Sequence, residues 1–86
     1  MIYHIEVLPR ARRDLKSIPP NFIEQIDEKI KSLGSNPRPH GYEKLEGDDQ
    51  CRVRSGDYRI VYGISDRERM VYIGHVGHRR EVYRNL

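Results

Sequence analysis

The second half of the chain concentrates arginines, the side chains best suited to recognising phosphate. Residues 50–86 contain eight arginines, no lysine and four acidic residues, whereas residues 1–49 contain eight basic and nine acidic residues. The formal charge is therefore +4 in the second part and −1 in the first. A guanidinium group is planar, and its fork of donors matches phosphate or carboxylate oxygens. The asymmetry favours a phosphate-bearing partner slightly over a merely solvated arginine surface.

Alternation of side chains predicts that several of these cations share one face of a sheet. Between residues 50 and 54, Cys51 and Val53 point to one side and the polar side chains to the other. The polar side carries Gln50, Arg52 and Arg54. The arginines that we expect to join it are Arg59, Arg79 and Arg80. A single arginine is more often a solvated surface charge, but a whole set on one uncovered face favours an anion site.

Histidine and tyrosine side chains near the C-terminus are the candidates for proton transfer. His75 and His78 lie three residues apart with no suitably spaced third ligand, so we expect no metal and no cofactor. His75 falls inside a predicted strand, which favours a structural role. His78 is flanked by glycine and arginine and is the better proton-transfer candidate. Tyr83 is equally consistent with proton donation or base stacking and with an aromatic that holds the C-terminal tail to the sheet.

Apolar periodicity predicts the elements that position these residues. Residues 3–7 alternate in polarity and predict a first strand. An apolar stripe after Pro9 predicts a helix, and Pro19-Pro20 separates it from a second helix that Gly34 ends. The stripe of the first helix consists of Ala11, Leu15 and Ile18, and that of the second of Phe22, Ile23, Ile26, Ile30 and Leu33. Together the two helices form an αα-hairpin.

The rest of the chain predicts a loop followed by three strands. Residues 35–49 have no sustained periodicity and contain several turn-forming proline and glycine pairs, which indicates an ordered loop. The predicted strands cover residues 50–54, 58–64 and 70–76. Residues 77–84 are too short and polar to assign. The order βααβββ predicts an α+β fold, in which the N-terminal strand and the αα-hairpin pack on one face of a mainly antiparallel sheet.

Length and composition restrict the class of protein. With 86 residues, 36% of them hydrophobic, we expect a single domain over residues 1–86 with a small core. No apolar run approaches the roughly 18 residues of a membrane span, and the first residues lack the layout of a signal peptide. The single cysteine, Cys51, excludes a disulfide framework and a cysteine zinc cluster, and we expect it to be a buried structural thiol. These features predict a small soluble protein of a reducing cytoplasm.

Three sequence runs resemble the RelE/ParE superfamily of toxin–antitoxin toxins, and most closely its RelE branch. They are RVRSGDYRIVY at residues 52–62, IGH at residues 73–75 and GHRREVYR at residues 77–84. The likeness extends to the first strand, the αα-hairpin and the KLEG element at residues 44–47, so it covers nearly the whole chain.

The resemblance implies a ribosome-dependent mRNA endoribonuclease that needs no metal. RelE-like toxins enter the ribosomal A site and cut the codon there, leaving a 2′,3′-cyclic phosphate and a 5′-hydroxyl end. By position, Arg59 and Arg79 are implied to stabilise the phosphate, and Tyr83 to stack on or orient a nucleotide and to help in proton transfer. The implied RNA-binding residues are Arg52, Arg54, Arg80 and Gln50.

One departure from the family pattern concerns the general base. The pattern has lysines at the positions that align with Gln50 and Arg52. Glutamine carries no charge, and arginine does not lose its proton in proteins, so neither residue replaces a lysine base. His78 is therefore the predicted catalytic base, with Glu81 behind it.

Two other functions remain open at this point. The ParE branch shares the fold but inhibits DNA gyrase, and the joint presence of Arg59, Arg79 and Tyr83 favours the RelE branch over it. A non-catalytic RNA-binding member of the fold is favoured by the missing lysines. Both toxin branches imply a cognate antitoxin, RelB-like in the RelE case and disordered until bound, which contacts the hairpin of residues 9–33 and the basic face. The toxin is expected to be a monomer alone or a hetero-oligomer with its antitoxin.

Overall fold

A five-stranded sheet with two helices forms the protein, as a computed structural model describes it for residues 2–45 and 49–78. The elements are β1 (His4–Val7), α1 (Pro9–Ser17), α2 (Pro20–Ser35), β2 (Glu43–Lys44), β3 (Gln50–Ser55), β4 (Tyr58–Ser65) and β5 (Met70–His78). The strand order is β1-β5-β4-β3-β2, with β1 parallel to β5 and every other pair antiparallel. The predicted α+β fold, with a mainly antiparallel sheet, is confirmed.

Both helices begin with a proline. Pro9 and Pro20 occupy the first turns of α1 and α2, where the missing N–H would have no partner within the helix. Their apolar stripes pack on one face of the sheet. The most deeply buried side chains of this core are Ala11, Ile26, Leu33, Ile60, Tyr62, Val71, Ile73 and Val76. Cys51 also belongs to the core, where burial raises the pKa of its thiol, so the predicted buried thiol is confirmed. Within the described residues, neither helix is long and apolar enough to cross a bilayer.

Two local predictions are wrong. The segment predicted as a loop contains the short strand β2, in which Glu43 pairs with Arg52 and Lys44 with Cys51. A strand of two residues is too short to produce a periodic pattern in the sequence. Only its pairing with β3 makes it a strand. Gly34 does not end α2, since the helix continues to Ser35.

The position of Gly34 has a packing reason instead. The Tyr3 N–H donates a hydrogen bond of 2.7 Å to the Gly34 carbonyl, so the chain entering β1 lies directly against α2. A Cβ atom on residue 34 would lie only 3.0 Å from the carbonyl oxygen of Tyr3. Glycine is therefore needed here for the close approach of two backbones rather than for a turn.

The helix α1 covers the part of β5 that β1 does not reach. Pairing of β1 with β5 ends at Val7 and Ile73. Farther along β5, the Asp14 carboxylate accepts a hydrogen bond of 3.0 Å from the Val76 N–H. The same Oδ2 atom lies 2.7 Å from Nδ1 of His75. His75 therefore takes part in a structural contact between helix and strand, in agreement with its place in a predicted strand.

The segment between α2 and β2 is attached to the sheet at two points. The hydroxyl of the buried Tyr62 donates a 2.7 Å hydrogen bond to the Pro37 carbonyl. Both terminal nitrogens of Arg38 donate to the carboxylate of Asp66, at 3.2 and 2.8 Å, and the Tyr3 hydroxyl donates to the same carboxylate. These bonds fix the backbone immediately before residue 40.

We expect Tyr62→Phe to lower the free energy of unfolding by about 1–2 kcal/mol, because the buried Pro37 carbonyl loses its donor. Urea denaturation followed by circular dichroism measures this change. Tyr72→Phe is the matched control, since the Tyr72 hydroxyl donates to Glu68 at an exposed site. The control should change stability by less than about 0.5 kcal/mol. Equal losses in the two variants would contradict the account of the Pro37 attachment.

Stability in acid should depend on Asp66. Hydrogen bonds from Arg38 and then Tyr3 lower the pKa of Asp66 from 3.8 to about 2. A depressed native pKa adds stability that is present above the ordinary pKa and is lost as the pH falls through the native one. Between pH 4 and pH 2, the wild type should therefore lose stability more steeply than Asp66→Asn. Asp27→Asn, which alters an exposed ion pair with Lys31, should keep the wild-type slope, and an unchanged slope in Asp66→Asn would count against the attachment.

Candidate nucleic-acid interface

The register between β3 and β4 places three arginines on one face of the sheet. Arg54 lies directly opposite Arg59, and Val53 lies opposite Ile60. Directly opposed residues of an antiparallel pair point to the same face. Because Val53 and Ile60 face the helices, Arg54 and Arg59 project from the other side, together with Arg52 two residues earlier. The shared face that alternation predicts for these arginines is present in the structure.

These arginines contribute to a cleft of about 390 Å³ that we call the arginine cleft. Its lining residues are Lys29, His40, Gly41, Glu43, Arg52, Val53, Arg54 and Arg59. Within the described residues, β2 pairs with β3 only at Cys51 and Arg52. The edge of β3 beyond these two residues therefore borders the cleft. The helix α2 and the segment before β2 supply its other walls. Three separate parts of the chain therefore meet at this site.

Arg59 is the most buried cation of the arginine cleft. It is only 8% exposed, and its Nη1 atom donates long hydrogen bonds of 3.4 and 3.3 Å to the carbonyls of Gly56 and Tyr58. Gly56 adopts a φ of +60°, which lets the β3–β4 turn present its carbonyl to the guanidinium. Attraction between charges is stronger where water is excluded. An anion entering the cleft would therefore interact more strongly with Arg59 than with an exposed arginine.

Glu43 lies among the cations and orients one of them. The Nη2 atom of Arg52 donates to Oε2 of Glu43 at 2.7 Å, and the Arg52 side chain is 12% exposed. This bond reduces the repulsion within the arginine cleft and restricts the rotamers of Arg52. Among the described residues that line the cleft, Glu43 and His40 are of types that commonly bind metals. Within the described ranges, no three His, Cys, Asp or Glu side chains come together as metal ligands would.

The structure separates His78 from Arg52, Arg54 and Arg59. His78 lies opposite Tyr58 with ring centroids 5.7 Å apart, and the Tyr58 ring lies 5.5 Å from that of Phe22 on α2. This aromatic group is on the side of the sheet that the helices cover. The residue opposite Arg59 is Gly77, so the next residue, His78, points away from the arginine cleft. The geometry therefore brings Arg52, Arg54 and Arg59 together without His78.

The other predicted site residues lie outside the arginine cleft or outside the described residues. Gln50 is half-buried at the start of β3, on the same face as Arg52 but not among the lining residues of the arginine cleft. Four predicted residues of the C-terminal segment lie outside the described residues, and their roles stay predictions. They are Arg79, Arg80, Glu81 and Tyr83.

Three residues of the arginine cleft are missed by reasoning from the sequence. Lys29 has the pattern of a helix surface residue, and His40 and Glu43 fall in a segment without periodicity. Only the tertiary packing of α2 and β2 along β3 brings them to the arginines. The sequence offers one signal for this segment, the His40-Gly41 pair, which favours a turn. The turn is present in the structure, where the Tyr42 N–H donates a hydrogen bond of 3.0 Å to the Pro39 carbonyl.

Comparison with known proteins assigns the family. A model described as the ParE toxin of a type II toxin–antitoxin system, parDE, matches residues 5–83. The chain belongs to the RelE/ParE superfamily. It is 32% identical to the protein RelE1 of Methanocaldococcus jannaschii over 89 aligned positions, which cover 99% of each chain. It is 31% identical to the mRNA interferase toxin RelE of Escherichia coli K12, over 96% of this chain and 92% of that one.

The fold agrees with the same assignment. A chain from the RelBE2 toxin–antitoxin complex of Mycobacterium tuberculosis superposes with a TM-score of 0.82 at 30% identity, covering 91% of this chain and 99% of that one. The superfamily resemblance is confirmed, and the RelE names of these relatives are consistent with the RelE branch.

A phosphate-binding role of the arginine cleft predicts that removing one exposed arginine weakens the binding of single-stranded RNA and reduces its dependence on salt. Arg54→Ala should make the slope of log affinity against log salt shallower by about 0.7, the value for one phosphate contact on a single strand. Fluorescence anisotropy with a labelled single-stranded oligoribonucleotide at several salt concentrations measures the slope. Arg10→Ala, at the exposed start of α1, is the charge-matched control and should retain the wild-type slope. Identical slopes in the two variants would contradict a phosphate contact in the arginine cleft.

Proposed function

We propose that this RelE-type toxin is an endoribonuclease that cleaves mRNA in the ribosomal A site and thereby inhibits translation. The observation that carries the proposal is the convergence of Arg52, Arg54 and Arg59 on one cleft, with Arg59 almost buried at its base. A relative that shares 31% of its residues is named an mRNA interferase toxin. The positive charge of the arginine cleft suits a phosphodiester substrate, in agreement with that name.

The chemistry requires stabilisation of charge on a phosphate that is being attacked. The ribose 2′-oxygen forms a bond to the adjacent phosphorus, and the bond from phosphorus to the 5′-oxygen breaks. The products are a 2′,3′-cyclic phosphate and a 5′-hydroxyl end. Negative charge grows on the non-bridging oxygens, and a prearranged cation such as Arg59 contributes on the order of 3 kcal/mol to lowering the barrier.

The other arginines of the cleft hold the RNA in place. Glu43 restrains Arg52, which presents a fixed guanidinium to the backbone, and the exposed Arg54 contacts a neighbouring phosphate. For the C-terminal segment we retain the roles that the family implies, phosphate stabilisation for Arg79 and nucleotide stacking for Tyr83. His78 is not the proposed base, because its ring contacts Tyr58 on the face of the sheet opposite Arg59.

A cognate RelB-like antitoxin is the proposed partner besides the ribosome and mRNA. The structural neighbour from M. tuberculosis belongs to a toxin–antitoxin complex. In this chain the helical hairpin of residues 9–33 offers the half-exposed Phe22, and the arginine cleft offers positive charge. An antitoxin with an apolar helix and acidic residues would complement both surfaces.

Inhibition of DNA gyrase is the second candidate function. It is favoured by one observation, the ParE name of the family model that matches residues 5–83. The resemblance implies that the ParE branch lacks the ribonuclease residues to which Arg59 belongs. The two functions therefore differ in their dependence on Arg59.

Cleavage of mRNA on programmed ribosomes, mapped by primer extension, tests the proposal. The wild type should cut within the A-site codon, and Arg59→Ala should cut at least about 100-fold more slowly, since it loses a prearranged cation at the reacting phosphate. Arg13→Ala on the exposed surface of α1 should cut at the wild-type rate. Circular dichroism of Arg59→Ala establishes that the variant is folded.

Two further results would contradict the proposal. One is growth arrest and gyrase inhibition by a wild-type protein that cuts no mRNA on ribosomes. The other is a folded Arg59→Ala variant that cuts as fast as the wild type. A reaction without ribosomes serves as the control for contaminating nucleases.

A further inference from the structure

The arginine cleft contains one side chain of the type that takes up a proton most readily near neutral pH. We propose that His40 is the general base that removes the 2′-hydroxyl proton of the RNA, an assignment that rests on the proposed ribonuclease function. His40 lines the cleft together with Arg52, Arg54 and Arg59. It is contributed by the segment before β2, whereas Arg59 is contributed by β4.

Hydrogen bonds attach the backbone just before His40 to the rest of the fold, and a turn follows it. Before it, Pro37 accepts a hydrogen bond from Tyr62 and Arg38 is paired with Asp66. After it, Gly41 adopts a φ of +89°, a conformation that residues with a side chain rarely adopt. The chain turns there and enters β2. A catalytic group needs such a fixed position, because small displacements reduce the rate strongly.

Within the described residues, five charged side chains line the cleft together with His40. They are Lys29 from α2, Glu43 from β2, Arg52 and Arg54 from β3, and Arg59 from β4. Ammonium and guanidinium groups hold their protons at neutral pH and serve as cations. The Glu43 carboxylate is engaged by Arg52 at 2.7 Å and orients it. Histidine is the residue type whose ordinary pKa is closest to neutral, which suits it to both accepting and releasing a proton.

The proposed step balances without any further reagent. The neutral imidazole of His40 takes the proton of the 2′-hydroxyl as the 2′-oxygen bonds to phosphorus. The bond from phosphorus to the 5′-oxygen breaks, and that oxygen leaves with the electron pair and takes a proton from solvent. The imidazolium then returns its proton to solvent, while Arg59 stabilises the charge on the phosphoryl oxygens.

Single-turnover cleavage on programmed ribosomes with His40→Gln tests the assignment. General base catalysis contributes roughly 100- to 10,000-fold, so the rate constant should fall by that factor. The rise of the wild-type rate with pH on its acidic side should disappear in the variant, which a structural role would not cause. Added imidazole should restore part of the rate of His40→Ala. His4→Gln changes an exposed histidine on β1 and should cleave as the wild type does.

The outcomes separate this assignment from the function on which it rests. If the wild type cuts A-site codons and His40→Gln cuts them equally fast, the assignment to His40 is overturned and the ribonuclease function stands. The assignment is also overturned if His40→Gln is slow but keeps the wild-type pH profile, or if Glu43→Gln alone removes the acidic limb. If the wild type cuts nothing on ribosomes, the proposed function is wrong and the role of His40 falls with it.

Discussion

The pairing register of β3 and β4 is the constraint on which both the core and the arginine cleft depend. It sets Arg54 directly opposite Arg59, although like charges across a strand pair repel. The same register sets Val53 opposite Ile60 on the buried face, where apolar contact with the helices offsets that repulsion. A slip of one residue would turn the arginines into the core and the apolar residues outward. The hydrophobic core therefore holds the cations together.

A second constraint closes the arginine cleft. The segment between α2 and β2 would be an ordinary surface loop without the Tyr62 bond to Pro37 and the pairing of Arg38 with Asp66. These contacts connect its backbone to β4 and to the turn that follows β4. Because the attachment lies just before His40, the same bonds that stabilise the fold also set the position of the proposed base. Packing, loop geometry and chemistry are linked through that short segment.

Local patterns in the sequence predict the helices, the three long strands and the shared face of Arg52 and Arg54, because each depends on periodicity alone. The strand β2 is not predictable in this way, since its two residues become a strand only through pairing with β3. The face of the sheet to which the His78 side chain points depends on two features that periodicity does not show. They are the continuation of β5 past Val76 and the register shift beside Val61. The contributions of α2 and β2 to the arginine cleft are long-range contacts that no local pattern records.

The most direct test of the account is a cryo-electron microscopy structure of the protein on a ribosome whose A-site codon carries a 2′-O-methyl group. The methyl group blocks the attacking oxygen and preserves the complex before cleavage. The account predicts that the scissile phosphate occupies the arginine cleft, with the Arg59 guanidinium about 3 Å from a phosphate oxygen. A codon seated against the helical hairpin, or a phosphate remote from Arg59, would contradict it.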